Sequence, residues 1–328
     1  MEAFHQTDIS AKAFLVTGGA GFIGSHLAAY LLAHGAGKVR VLDNMVNGFP
    51  DNLDILRDYP AFEFIEGDIR DAGICQKACE GITHVSHQAA LGSVPRSIKE
   101  PVYFNEVNVG GFVNILKAAI DNKVQQFVYA SSSSVYGDEP TLPKLESRVG
   151  NCLSPYAATK KTNELFAQVF ADVYGIKLMG FRYFNIFGPR QDPDGPYAAV
   201  IPLFVKGILK RTPVFINGDG EQTRDFTYVD NAVQINVKGL LTDNEKAFGK
   251  VYNVAVGENF SVNYLYEACR EHLGSDWEAT HREPRAGDIR NSLADISLAK
   301  ELLGYQPTRR FEEGLTETIE FFKHKYLN

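Results

Sequence analysis

Two residue sets in this chain are spaced for proton chemistry. The stretch SPYAATKKTNE carries Tyr156 and, four residues later, Lys160. On a helix, positions i and i+4 share one face, so the phenol and the ammonium point the same way. A free tyrosine titrates at about 10, and a neighbouring cation stabilises its phenolate and lowers that value. The pair then serves as a general base toward an alcohol. Tyr-x-x-x-Lys is also common on ordinary surface helices, so it gains meaning only from what surrounds it. The second set is the run of four hydroxyls Ser131–Ser134 in YASSSSVYG, directly after the apolar pair Phe127-Val128. A flexible linker does not follow a strand and lead straight into Val135, Tyr136 and Gly137. With Ser132 at a strand end facing Tyr156, its hydroxyl would hold an alcohol oxygen and relay the proton. Neither a carboxylate nor a histidine accompanies these serines. Elimination of water would need an acid and a base of its own, so the set suits a reaction that moves one hydride and one proton.

A hydride needs an acceptor, and FLVTGGAGFIGSH supplies the place for one. Gly19-x-Gly21-x-x-Gly24 matches the dinucleotide fingerprint and Gly18-x-x-Gly21-x-x-Gly24 its close variant. The glycines allow a tight turn and a backbone that touches pyrophosphate, and the following helix N-terminus offers unpaired N–H groups. Asp43 closes the next strand, where a carboxylate would accept from ribose hydroxyls and repel a 2′-phosphate; with no arginine after it, NAD is expected rather than NADP. Asp68, in GDIRD, is positioned either to meet the adenine or to cap a helix.

Elements that could hold these groups alternate along the first half of the chain. Strand-like runs at Phe14–Val16, Val39–Leu42, Phe62–Ile65, Ile82–Val85, Phe127–Tyr129 and Lys177–Met179 are separated by helix-like stretches such as His26–Leu32. This rhythm predicts βαβ units and a doubly wound parallel sheet covered on both faces, an α/β Rossmann architecture. Beyond Arg182 it breaks into loops and helices (Tyr264–Leu273, Ser297–Leu303, Glu312–Tyr326), which predicts a smaller substrate-binding lobe. The expected division is 1–185 with 225–256 for the cofactor domain and 186–224 with 257–328 for the lobe, VYNVAV returning to the main sheet. With 328 residues, 45% of them hydrophobic, the chain is long enough for such a core. A net charge of -7 argues against a nucleic-acid partner. Cys75, Cys79, Cys152 and Cys269 form no C-x-x-C pair, so buried thiols are expected rather than disulfides or a metal site. MEAFHQTDIS has neither the basic start nor the apolar stretch of a signal peptide, and no run is long enough to span a membrane; a cytoplasmic protein is the expectation.

Taken together, TGGAGFIG, HQAA, NVGG, SSSSVYG, YAATK and RYFNIFGP resemble the extended short-chain dehydrogenase/reductases, from about Ala13 to the C-terminus. Within that family, HQAALGSVPRS, FGPRQDPDGPYAAVIP, NGDGEQTRDFTYVDN and HREPRAGDIRNSLADIS look like the bacterial UDP-N-acetylglucosamine 4-epimerases of surface-polysaccharide synthesis. Related dehydratases carry Thr-Asp-Glu where this chain has Ser132-Ser133-Ser134. The resemblance implies tightly held NAD, contacted by Gly18, Gly21, Phe22, Ile23, Gly24, Asp43, Asn44, Asp68 and Ile69. It adds Gln88, Ala89, Ala90, Asn108, Tyr183 and Phe184 to that cofactor set, along with Tyr156 and Lys160. Ser132, Tyr156 and Lys160 would be catalytic, working through a 4-keto sugar. Asn185 and Arg224 would hold the nucleotide diphosphate with Arg285 and Asp288 from the lobe. Ala199, Val200, Val214, Phe215 and Asn217 would line the nucleotide pocket, and Gly92, Ser93, Ser133, Ser134 and Ser292 the sugar pocket. Ser292 stands where glucose-specific relatives carry tyrosine, leaving room for an acetamido group; capping the following turn is its alternative role.

Two rival readings accompany this one. A non-catalytic NAD-binding regulator on the same fold would tend to lose the tyrosine–lysine pair. A 4-epimerase of UDP-uronic acids would call for a further cation near C6, for which Arg96 is a candidate and equally a surface charge. A homodimer is expected from the resemblance, with the helix Phe112–Ile120 and the Tyr156 helix packing against their twofold mates. Leu165, Phe166, Val169 and Phe170 give that helix more apolar surface than one sheet face requires.

Overall fold

In a computed structural model describing residues 2–194, 199–284 and 290–327, seven strands form one sheet. They are β1 (Ala13–Thr17), β2 (Lys38–Asp43), β3 (Phe62–Glu66), β4 (His84–His87), β5 (Gln126–Ser132), β6 (Leu178–Tyr183) and β7 (Lys250–Val254), in the order β7-β6-β5-β4-β1-β2-β3. Every pairing is parallel. Strands such as β1 and β4 are buried almost end to end, as a sheet covered on both faces requires.

One face carries α1 (Phe22–Ala33) and α6 (Val229–Leu241), which pack Leu27, Leu31, Val233 and Leu240 against Val16, Val41 and Val128. The other carries α2 (Ala72–Cys79), α3 (Gly111–Asp121) and α4 (Pro155–Tyr174), with Cys75, Phe112, Ile115 and Ala167 against Leu15, Val85 and Phe127. The longest helix, α4, is well delimited. Ser154 accepts from the Ala157 amide at 3.1 Å, Pro155 opens the first turn, and Gly175 at φ 70 ends it. The strand order reverses beside β1, so the crevice at the C-terminal ends of β1 and β4 is where an open α/β sheet binds its ligand.

A third apolar cluster lies apart from both sheet faces. It joins α5 (Val200–Lys210), α7 (Val262–His272) and α9 (Phe311–Leu327) through Phe204, Ile208, Leu265, Phe311 and Phe322. Its membership departs from the expected division in two places. Phe226 and Tyr228 belong to this third cluster, because Thr227-Tyr228 pairs with Ile186-Phe187 rather than with the main sheet. Conversely Ala294, Ile296 and Tyr305, with Ala299 and Leu303 of α8 (Ser297–Leu303), pack into the main core, where α8 lies against β7. Apolar faces follow the nearest uncovered surface, which chain order alone does not reveal. No helix among the described residues is long and apolar enough to cross a membrane.

Candidate active site

The crevice begins at the glycine turn. Gly18 has φ +70, and a Cβ there would fall 2.7 Å from the Ala89 amide nitrogen, so two backbones touch between β1 and β4. A Cβ on Gly24 would lie 2.2 Å from the Gly18 carbonyl, which presses the start of α1 onto the turn. Gly21 is the N-cap of α1 and provides no side-chain cap, leaving the helix start open to an anion beside Phe22 and Ile23. This cradle fits a dinucleotide pyrophosphate.

Asp43 ends β2 almost buried, its Oδ2 accepting from Ala20 N at 3.0 Å and its Oδ1 from Met45 N at 2.9 Å. Burial raises its pKa and the two amides oppose the rise. At the end of β3, Asp68 bonds Arg70 at 2.8 and 3.1 Å and Asn44 at 3.0 Å, and Arg70 holds its carboxyl down at about 2. The helix cap is a different acid. Asp71 accepts from Ile74 N at 3.0 Å to start α2, so the Asp68–Asn44 pair at the end of β3 is not spent on the helix cap. Ile69 is buried beside them, against α3.

Several residues expected to touch the cofactor also hold the crevice walls. Asn108, in a π-turn at Glu106–Gly110, accepts from Leu91 N at 2.8 Å and donates to Leu91 O and Thr159 Oγ1, both at 3.1 Å. Both of its N–H groups are spent, so it clamps the loop after β4 to α4. The Gln88 amide donates to Ser86 and Asn236 at 2.9 and 3.0 Å and accepts from the Tyr183 hydroxyl at 3.1 Å. The side chains of Gln88 and Tyr183 therefore belong to a polar network at the sheet, while the Ala89 backbone faces the turn. Phe184 is 1% exposed and packs on Tyr136 in the main core.

Ser132 is the last residue of β5, and Tyr156 lies in the first turn of α4. The fourfold serine run divides here. Ser131 Oγ donates to Glu164 at 2.7 Å, whereas Ser134 N and Oγ lie 3.1 and 2.9 Å from Ser132 Oγ. Burial raises the Tyr156 pKa, opposed by hydrogen bonding with Ser132. Lys160, 3% exposed, donates to the Ala130 carbonyl at 2.8 Å and is lowered to about 8 by desolvation. The expected lowering of the phenol by Lys160 thus gives way to burial of both groups within the chain itself. Desolvation penalises whichever form is charged.

Across the crevice, Asn185 sits at φ 38, a left-handed conformation that asparagine tolerates, and donates to the Asp225 carbonyl at 3.1 Å. Arg224 Nη1 bonds the Thr223 carbonyl at 2.8 Å. Ser292 is half-buried on a strap pinned at both ends: Ser292 N donates to Thr223 O at 3.1 Å, and Lys144 N to Leu293 O at 2.8 Å. Asp295, not Ser292, bonds the Ser297 amide opening the next helix, at 2.8 Å. Ser93 caps a short helix through Arg96 N at 3.2 Å, and Gly92 has open space around it. Ala199 and Val200 begin α5, with Val200 against the third cluster. Val214 is 4% exposed, so its side chain is lobe core. Phe215 and Asn217 are engaged by Arg282, which stacks on the ring at 5.1 Å and bonds the amide oxygen at 2.7 Å. Arg285 and Asp288 lie outside the described residues.

Sequence reasoning passed over the buried pair Glu164–Arg182, joined at 2.8 and 2.9 Å. Its signals were an arginine inside the apolar run LMGFRYF and an acid four residues past Lys160.

Comparisons with known proteins agree with this geometry. A family model described as the NAD dependent epimerase/dehydratase family matches residues 14–255. A UDP-glucose 4-epimerase of Mycolicibacterium smegmatis is 38% identical over 95% of this chain and 98% of its own length. A UDP-glucuronate 4-epimerase of Thermodesulfobacterium geofontis is 33% identical over 94% and 96%. Among solved structures, the UDP-N-acetylglucosamine 4-epimerase of Methanobrevibacter ruminantium M1, in complex with UDP-N-acetylmuramic acid, superposes with a TM-score of 0.90. It shares 39% identity and covers 96% of this chain and 99% of its own. With its glycine cradle, its acid at the end of β2 and its seven-stranded parallel sheet, the chain belongs to the NAD dependent epimerase/dehydratase family, with NAD as cofactor.

Proposed function

We propose that this protein is a UDP-sugar 4-epimerase whose substrate is a UDP-N-acetylhexosamine, interconverting UDP-GlcNAc and UDP-GalNAc for surface-polysaccharide synthesis. The observation that carries the reading is the half-buried serine at 292 on its pinned strap; the reading places it beside C2, where a small side chain leaves room that a bulky one would fill. Gly92, Ser133 and Ser134 are proposed to extend the same small, hydroxyl-rich wall.

In this reading Tyr156 takes the proton of the 4-hydroxyl, with Ser132 holding the sugar oxygen. Lys160 presents positive charge behind the phenol and sits below its ordinary pKa at about 8, still largely protonated at neutral pH. NAD bound at the glycine turn supplies the acceptance and return of the hydride. Arg224 and Asn185 grip the diphosphate, with Arg285 and Asp288 proposed as their partners from the lobe; guanidinium forks match phosphate oxygens. The small wall leaves room for the 4-keto sugar to present its opposite face. The third apolar cluster is proposed as the core of the substrate-binding lobe, and two chains are proposed to pair through α3 and α4.

A uronate substrate would need a cation near C6. Arg96 is held by Glu100 at 3.0 Å and lies over the Tyr103 ring at 5.6 Å, which speaks for a structural charge. The test is direct: purified protein is incubated with UDP-GlcNAc, UDP-glucose and UDP-glucuronate, and the epimers are resolved. The reading requires turnover of UDP-GlcNAc. Ser292→Tyr should then lose it while keeping UDP-glucose turnover, since a clash acts on only one of two substrates. Preferential conversion of UDP-glucuronate would replace this reading with the uronate one.

A further inference from the structure

At the end of β5, three consecutive residues are each met by a residue of α4, at four-residue steps along one helix face. Lys160 Nζ donates to the Ala130 carbonyl at 2.8 Å and Ser131 Oγ donates to Glu164 Oε1 at 2.7 Å, while Ser132 is near enough to the Tyr156 phenol to oppose the rise that burial gives its pKa. The middle contact is itself anchored. Arg182 lies directly opposite Ser131 in the β5–β6 ladder and takes both Glu164 oxygens, at 2.8 and 2.9 Å. Its remaining nitrogen bonds the Glu146 carbonyl at 3.0 Å, and its guanidinium stacks on Tyr136 at 4.9 Å. Arg182 is 1% and Glu164 8% exposed.

A two-pronged guanidinium–carboxylate pair has one geometry, so Glu164 is held in direction as well as in distance. The lysine contact is a single bond at the end of a flexible stem and fixes the helix less strictly than the two-pronged pair does. Each residue of slip moves a helix about 1.5 Å along its axis, and proton transfer needs heavy atoms about 2.6–3.2 Å apart. We infer that Glu164 is a positioning residue: with Ser131 and Arg182 it sets the seat of α4 on the end of β5, so that the Tyr156 phenol meets Ser132. The inference rests on the proton-transfer role proposed for Tyr156.

Other titratable groups around the helix are accounted for. His87 of β4 bonds Thr17 at 2.8 Å and is pushed down to about 3, hence neutral. Glu146 accepts from the Asn253 amide at 2.9 Å, and Lys161 lies 3.3 Å from Glu164. Tyr129 is buried and raised well above its ordinary value, and Arg96 is paired with Glu100.

Ser131→Ala removes the strand's half of the contact and leaves the Glu164–Arg182 pair intact; Ser131→Thr keeps the hydroxyl. Tyr156 is titrated by ultraviolet difference absorbance against the same protein carrying Tyr156→Phe, alongside kcat, KM and urea unfolding. Ser131→Ala should move the phenol titration to higher pH and lower kcat about tenfold with KM unchanged, the equivalent of one hydrogen bond to a charged group. Ser131→Thr should restore both, and Glu164→Gln should exceed Ser131→Ala in each. An unchanged titration and kcat in Ser131→Ala, with only the unfolding midpoint lowered, would overturn the inference. The titration stands without turnover. A wild-type protein that converts no UDP-sugar refutes the proposed function, while the phenol's response still decides the positioning role.

Discussion

Asp43 and Ala20 are joined across the mouth of the crevice: the carboxylate that ends β2 accepts the amide of the glycine turn at 3.0 Å. The acid thereby braces the turn and brings negative charge to the end of β2 beside it. A redox-neutral cycle gains nothing from releasing its cofactor, so the protein is expected to purify with NAD(H) bound and to act without added cofactor. Asp43→Ala should lower retained NAD and narrow the preference over NADP, as read from cofactor content and the two dissociation constants. A wild-type protein active only with added NADP contradicts the assignment.

Tyr156→Phe removes the hydroxyl facing Ser132 and should cost about 10²- to 10⁴-fold in kcat, the range of a lost acid–base group. UDP-sugar affinity should stay nearly unchanged. Ser132→Ala is expected to be milder. Near-normal turnover in Tyr156→Phe would remove the phenol from the mechanism.

Along the outer face of α4, Leu165, Val169 and Val173 are 60%, 53% and 66% exposed, a stripe at four-residue spacing. Phe166 and Phe170 turn inward and pack on the sheet, so the face available to a second copy is narrower than their sequence suggests. If the proposed pairing holds, the wild type should be a dimer by light scattering and the double substitution Leu165→Glu with Val169→Glu a monomer. A monomeric wild type at micromolar concentration refutes the pairing.

His84 and His87 are each 2% exposed, and burial lowers them to about 4 and about 3. An unfolded chain binds protons at these positions that the folded chain refuses, so stability rises with pH across this window. Their contribution is complete above about pH 6.5 and is lost as pH falls toward 4 and then 3. For His84 the lowering from 6.5 to about 4 corresponds to at most about 3 kcal/mol. His84→Gln should flatten the fall in urea midpoint between neutral pH and about pH 4. An identical slope in the variant would show that other groups drive acid unfolding.

What the sequence determined by itself was local. Glycine at 18 and 24 could be assigned because backbone conformation and near-contact in a turn depend on a few adjacent residues. The strand–helix alternation, and with it the parallel sheet, could be read from runs buried on both faces. Tyr156 and Lys160 could be paired because helix periodicity alone puts them on one face. Tertiary structure decided which of several equivalent side chains does what. Asp68 and Asp71 are both acids just past a strand, yet only Asp71 meets a helix amide. Asn108 and Gln88 look like cofactor contacts in their motifs, but their donors are taken by Leu91, Thr159, Ser86 and Asn236, residues 2 to 148 positions away. Ser131 and Ser132 differ in nothing but register, and the buried Glu164–Arg182 pair engages only the first. A hydrogen bond is satisfied by whichever partner the packed chain brings within reach, and that distance is set by how helices seat on the sheet rather than by separation along the sequence.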